Sequence, residues 1–195
     1  MTQPLHEWES RYQSGETGWD RGASSPSLNA WLSNEGLTPG SRILVPGCGR
    51  GHEVIHLAQL GFDVTGLDIA PSAVNHLQQA LKDKGVQAEV LHADLFEFMP
   101  DTPFVAIYEQ TCLCAIQPVQ RAAYEALLHA WLKPGGTLFA LFMQTGAEGG
   151  PPFHCDLLAM RQLFDESRWE WPAEEPVFTP HRNGRFELGY RLKRT

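Results

Sequence analysis

Short apolar runs alternate with longer stretches of helical periodicity through most of this 195-residue chain. Arg42 to Val45, Val64 to Asp68, Glu89 to His92, Phe104 to Tyr108 and Thr137 to Met143 read as strands. In each, apolar and β-branched positions run together and stop at turn residues. Between them, Gly51 to Leu60 places Val54, Ile55, Leu57, Ala58 and Leu60 on the apolar side of a helix. Pro71 to Lys84 opens with proline in a first turn and stops at Gly85. Val119 to Leu132 is helical until the breaker Lys133-Pro134-Gly135-Gly136. Strand and helix in alternation predict right-handed crossovers and a parallel sheet. The last third departs from this rhythm, with a helix around Asp156 to Ser167 and then a stretch rich in Pro and Glu. The closing FELGYRLKR would put Phe186, Leu188, Tyr190 and Leu192 on one strand face. It is expected to enter the sheet antiparallel beside the fifth parallel strand.

One junction in this pattern carries chemistry. In ILVPGCGRG (Ile43 to Gly51) an aliphatic strand runs into three alternate glycines, Gly47, Gly49 and Gly51, which then open a helix. Without a Cβ the chain turns sharply and a ligand can come close to the main chain, beside the unpaired N–H groups of the helix start. A dinucleotide fingerprint, G-x-G-x-x-G, would need glycine where His52 stands. Asp68 ends the next strand, 21 residues after Gly47, where a carboxylate can accept hydrogen bonds from both hydroxyls of a ribose. A bound nucleoside is therefore the expectation, and a nicotinamide dinucleotide is disfavoured.

Composition narrows the class of partner. Fifteen Lys and Arg against 23 Asp and Glu give a net charge of −8, and no basic patch stands out for a phosphate backbone. Arg185, Arg191, Lys193 and Arg194 read as a solvated strand face. A small-molecule partner is favoured over nucleic acid. The N-terminus lacks the apolar region of a signal peptide, and no apolar run approaches the ~20 residues of a membrane helix. Cys48, Cys112, Cys114 and Cys155 match no zinc-ligand spacing. They read as reduced packing thiols, with Cys112 and Cys114 on one side of a strand end. No metal, a cytoplasmic setting and a monomer are expected. A chain of this length, without repeats or a linker, fits one domain over 1–195.

The segment WESRYQSGETGWDRG (Trp8 to Gly22) resembles the start of the thiopurine S-methyltransferase-like family, which includes thiol and halide methyltransferases. LVPGCGRG, the Asp68 turn, HADLFEF (His92 to Phe98), IYEQTCLCAI (Ile107 to Ile116), LKPGG and GGPPF (Gly149 to Phe153) continue the likeness in order. The glycine run alone marks only the class I S-adenosylmethionine-dependent methyltransferases; the N-terminal pattern with GGPPF is more specific. The resemblance implies an α/β fold with a doubly wound, Rossmann-like, mostly parallel seven-stranded sheet and an antiparallel last strand. It also implies an N-terminal lid with helices over 1–36 and a core over 37–195.

Carried over by position, the resemblance implies an S-adenosyl-L-methionine site. Trp8, Tyr12 and Trp19 would form an aromatic lid over the sulfonium, with Tyr12 standing where the family often has Trp. Gly47 and Gly49 would lie against the methionyl part, and Asp68 would hold the ribose. Asp94 would accept from the adenine amino group while the Leu95 N–H serves a ring nitrogen. Glu109 would lie near the cofactor's amino group. Aromatic faces attract a cation by ~0.5–2 kcal/mol, which suits the sulfonium. On residue pattern alone, Trp8 and Tyr12 equally suit the packing of an amphipathic helix, and Asp94 a helix N-cap.

The implied reaction is methyl transfer to a small soft nucleophile: a thiol, sulfide, halide or thiopurine-like thione. A thiol of pKa ~8.5 already supplies some thiolate near neutral pH, so the lack of an obvious acid–base pair is compatible with catalysis. No catalytic residue is assigned; His154 reads as a loop histidine. The acceptor side is expected from the lid, Thr111 to Leu113 and GGPPF. The alternatives are a non-catalytic S-adenosylmethionine sensor and a methyltransferase for another small acceptor.

Overall fold

Within each compact unit, the strands that alternate with helices lie parallel to one another. The computed structural model describes residues 5–32, 36–181 and 184–195. They belong to two compact units, Met1–Phe98 and Met99–Thr195. The expected N-terminal segment 1–36 thus lies partly outside the described residues.

The first unit carries α1 (Leu5–Ser14), α2 (Pro26–Leu32), β1 (Arg42–Pro46), α3 (His52–Gln59), β2 (Asp63–Asp68), α4 (Pro71–Lys84) and β3 (Glu89–His92). Its strands lie in the order β3-β2-β1, all parallel. The alignment of strand ends matters most. Pro46 lies opposite Leu67, and Asp68 opposite His92. The residues that follow β1 and β3, and the last residue of β2, therefore meet along one edge of this unit.

The core beneath that edge is aliphatic. Leu44, Val54, Leu57 and Leu77 are fully enclosed, each contributing about 1.5–3 kcal/mol by burial. Helix α4 has the expected limits, with Pro71 in its first turn and Gly85 left-handed after its last. Helix α3 is one residue shorter at each end than expected, so Leu60 falls beyond it and is exposed.

The second unit holds β4 (Phe104–Glu109), α5 (Arg121–Trp131), β5 (Leu132–Gln144), α6 (Leu157–Leu163), β6 (Trp169–Glu170), β7 (Val177–Pro180) and β8 (Phe186–Arg194). Strands β4 and β5 are parallel, and β8 runs antiparallel to β5 from Thr137↔Lys193 to Gln144↔Phe186, as expected. Two short strands were hidden in the Pro- and Glu-rich stretch. Both β6 and β7 pair with β8, which brings the described strands to eight where seven were expected.

Three local expectations need correction. The Lys133-Pro134-Gly135-Gly136 run does end α5, but it lies inside β5 as an irregularity, with the register jumping between Phe104↔Leu132 and Ala106↔Thr137. Cys112 and Cys114 sit in a turn closed by the N–H groups of Ala115 and Ile116 on the Cys112 carbonyl, not on a strand end. Helix α6 stops at Leu163, short of Ser167; it starts where the Asp156 carboxylate accepts from the Ala159 N–H at 2.9 Å.

Candidate functional site

At the shared edge of β1 and β2, the glycine loop is fastened from the side. The Gly49 N–H donates to Asp68 Oδ2 at 2.8 Å, and the Ala70 N–H donates to Oδ1 at 2.9 Å. The Ile69 N–H also acts on this carboxylate, and acceptor capacity remains for a further donor. Burial pushes the Asp68 carboxyl up from its usual range, with the N–H groups of Ala70 and Gly49 pulling the other way. The Cys48 N–H adds a bond to the Leu67 carbonyl at 3.0 Å.

The loop itself needs its glycines. Gly47, Gly49 and Gly51 have φ of 58°, 53° and 75°, all left-handed. A Cβ on Gly51 would stand 2.2 Å from Leu77 Cδ1, and one on Gly49 would stand 2.8 Å from the Tyr12 hydroxyl. The first contact makes the loop part of the core. The second puts Tyr12 directly over the loop.

Trp8, Tyr12 and Trp19 gather at this same edge. Trp19 meets Trp8 edge-on with ring centroids 5.5 Å apart, and meets Tyr12 at 5.6 Å. None of the three belongs to the buried core, unlike Trp31. Burial and the nearby Asp68 charge push the Tyr12 hydroxyl well up, so it stays protonated. Helix α1 is anchored by Glu9, whose carboxylate accepts from the Ser72 N–H at 2.9 Å and the Ser72 hydroxyl at 2.5 Å. Those bonds to Ser72 hold the Glu9 carboxyl below its ordinary value.

Asp94 follows β3 by two residues. Its Oδ1 accepts from the Phe96 N–H at 2.9 Å and its carbonyl from the Glu97 N–H, so it closes a turn and caps no helix. Asp20 ties the aromatic segment to the glycine loop. Its Oδ2 pairs with Arg50 Nη1 at 3.0 Å, and its Oδ1 meets His52 Nε2 at 2.8 Å and the Gly22 N–H at 2.8 Å.

In the second unit, Glu109 ends β4 with 1% of its surface exposed. Its Oε1 accepts from the Leu113 N–H at 2.6 Å, while Oε2 is buried without a partner among the described residues. Burial pushes its carboxyl up to about 8; the Glu187 charge adds to the rise, and the Leu113 N–H opposes it. Glu187, which alternates with the apolar positions of β8, is fully buried. Its Oε2 meets Gln110 Nε2 and His181 Nε2, each at 2.7 Å. Strand alternation gave no signal for this network, which brings Gln110 after β4 and His181 after β7 onto one carboxylate of β8. Arg194, expected on a solvated face, is half-buried and donates to the Leu132 carbonyl.

The two expected acceptor segments are tied together within this unit. The Phe153 N–H of GGPPF donates to the Cys114 carbonyl at 2.7 Å, and Arg121 donates to the carbonyls of His154 and Phe153. His154 Nδ1 accepts the Thr145 N–H at 3.1 Å, which uses the nitrogen a base would need. The four cysteines are buried and form no disulfide among the described residues, and burial pushes the Cys155 thiol up to about 12.

The sequence profile of the Thiopurine S-methyltransferase family matches residues 3–187. The chain belongs to that family. Among its relatives, Thiocyanate methyltransferase 1 of Arabidopsis thaliana is 31% identical, over 93% of this chain and 82% of the relative. Thiopurine S-methyltransferase of Pseudomonas putida (strain GB-1) is 30% identical, over 96% and 98%. The fold is shared more widely. The magnesium protoporphyrin IX methyltransferase of Synechocystis PCC 6803, solved with S-adenosylmethionine bound, superposes with a TM-score of 0.78 at 20% identity, over 98% of this chain and 97% of that one. The α/β, Rossmann-like, mostly parallel fold with antiparallel last strands is thereby established. This thiopurine S-methyltransferase family member is an S-adenosylmethionine-dependent enzyme that methylates a soft nucleophile. None of its described helices is long and apolar enough to cross a membrane.

Proposed function

We propose that this enzyme transfers the methyl group of S-adenosylmethionine to a small thiol, sulfide, halide or thione, and that its cofactor is held mainly by the glycine-loop unit. The observation that carries this reading is Asp68. It pins the loop through Gly49 and still has acceptor capacity for a ribose. The donor set fits the cofactor: a carboxylate for the sugar, left-handed glycines under the methionyl part, and partly open aromatic rings for a sulfonium.

When bound, the cofactor supplies a methyl group on a sulfonium for in-line displacement. Asp68 would orient the ribose, Asp94 and the Leu95 N–H the adenine, and Gly47 and Gly49 would admit the methionyl chain. Trp8, Tyr12 and Trp19 would exclude water and hold the sulfonium. Glu109 is assigned the α-ammonium group by the family likeness; at neutral pH it holds its own proton until a cation draws it off. Thr111 to Leu113 and GGPPF would line the acceptor side. An incoming thiolate or halide needs orientation and desolvation more than a base, so no catalytic base is assigned. We read the chain as one methyltransferase domain, with segment 1–36 as lid and 37–195 as core; the unbroken family match over 3–187 supports this. A monomer in the cytoplasm, with no nucleic-acid partner, completes the reading.

The test is an acceptor panel with labelled cofactor: sulfide, aliphatic thiols, thiophenols, thiopurines and iodide. Transfer to at least one is expected. Cofactor binding with no transfer to any member would move the reading to a sensor or to another acceptor.

A further inference from the structure

His52 occupies the position at which a dinucleotide loop would carry its third glycine, and it has a partner that explains it. The Asp20 carboxylate reaches His52 Nε2 at 2.8 Å and Arg50 Nη1 at 3.0 Å. These two residues flank Gly51, the left-handed hinge from loop into α3. One carboxylate thus grips the glycine loop on both sides of its turn. The side chain of Asp20 is only 10% exposed, whereas those of Arg50 and His52 are 37% and 28% exposed. The buried member is therefore on the aromatic segment, and the more exposed members are on the loop.

Asp20 also shapes its own segment. Its Oδ1 accepts the Gly22 N–H at 2.8 Å, and the Asp20 N–H donates to the Thr17 carbonyl at 2.9 Å. Both bonds fix the chain beside Trp19, whose ring meets Trp8 and Tyr12. Burial alone would raise the Asp20 carboxyl, but the Gly22 N–H, His52 and Arg50 together hold it below its usual range. The group is an anion at neutral pH and its two partners are cationic or able to donate.

We propose that Asp20 is a positioning residue: through Arg50 and His52 it latches the Trp19 segment onto the glycine loop, and so sets the affinity for S-adenosylmethionine. The proposal rests on the cofactor site described above. Asp20 is assigned no contact with the cofactor. It fixes the distance between the aromatic rings and the loop that the cofactor must occupy together. His52 stands where glycine is not needed because this loop is held by a side chain on its outer side.

Asp20→Asn keeps an acceptor for the Gly22 N–H but removes the charge that holds Arg50 and His52. Calorimetry with S-adenosylhomocysteine, paired with tryptophan fluorescence, is the measurement. In Asp20→Asn the Kd is expected to rise about tenfold or more, and the ligand-induced fluorescence change to shrink. KM for S-adenosylmethionine should rise with it while kcat falls less, and the melting temperature should move little. In a His52→Gln background the effect of Asp20→Asn should be clearly smaller, since the two act as one unit. Equal affinity in the wild type and Asp20→Asn overturns the proposal, as do effects that simply add in the double variant. If Asp20→Asn fails to fold, His52→Gln and Arg50→Gln ask the same question from the loop side. A wild type that does not bind S-adenosylhomocysteine at all would sink the cofactor site itself, a different failure.

Discussion

Asp68 and Glu109 are both acids that end a parallel strand, burial pushes both carboxyls up, and they differ in the partners their oxygens have been given. Asp68 has each oxygen served by a backbone N–H. Glu109 has one oxygen served and one without a partner among the described residues, beside the charge of Glu187. The first is a strut that builds a loop. The second is a proton store, neutral until something cationic or a higher pH takes the proton. Position at a strand end makes an acid available for function; the count of N–H donors around it decides which function.

The difference can be broken most sharply at Asp68. Asp68→Ala strands the N–H groups of Gly49 and Ala70, so stability in urea should fall by roughly 2–5 kcal/mol. Affinity for S-adenosylhomocysteine should fall about 10–100-fold in calorimetry of the folded fraction. An unchanged denaturation midpoint would mean the loop does not depend on this strut.

A smaller effect is expected at Glu109, and it is one of pH. Its folded-state value of about 8 lies above the ordinary 4.5. The unfolded chain therefore loses this proton first, and the stability it contributes below pH 4.5 is lost as pH rises towards 8. Glu109→Gln keeps the acceptor for the Leu113 N–H and removes the titration. Its melting temperature should match the wild type near pH 4.5 and exceed it by roughly 3–8 °C near pH 8. Parallel curves across that range would show that Glu109 ionises freely. The smallest effect is at Glu187. Glu187→Gln removes the repulsion and should narrow the pH-sensitive range of Glu109, with melting shifts of roughly 1–3 °C. A range equal to that of the wild type would remove Glu187 as a cause.

The contrast also explains what the chain disclosed before folding. The ends of β1 to β4 follow from local apolar runs, so Gly47, Gly49, Asp68, Asp94 and Glu109 could be placed at strand ends by inspection. The antiparallel entry of β8 followed from its alternation. Glu187 and His181 could not be found this way, because an acid inside an alternating strand reads as solvent-facing until its distant partner Gln110 and the nearby His181 meet it. The partners of Asp20 were not legible, since they lie about 30 positions away and no periodicity links them. The Lys133-Pro134-Gly135-Gly136 run stopped a helix as expected, yet β5 absorbed it through an irregular register. Local signals place ends; long-range pairing fills faces.

The contact between Gly51 and Leu77 has a consequence for how this chain can change over generations. With Leu77 Cδ1 2.2 Å from where a Cβ would stand, and with a left-handed turn at the same residue, position 51 is constrained from two unrelated directions. Shrinking Leu77 would clear the space without easing the backbone, and it would leave a void in the core. Neither residue opens a one-step path for the other. The two should remain fixed together in descendants of this chain, even in those that take up a new acceptor.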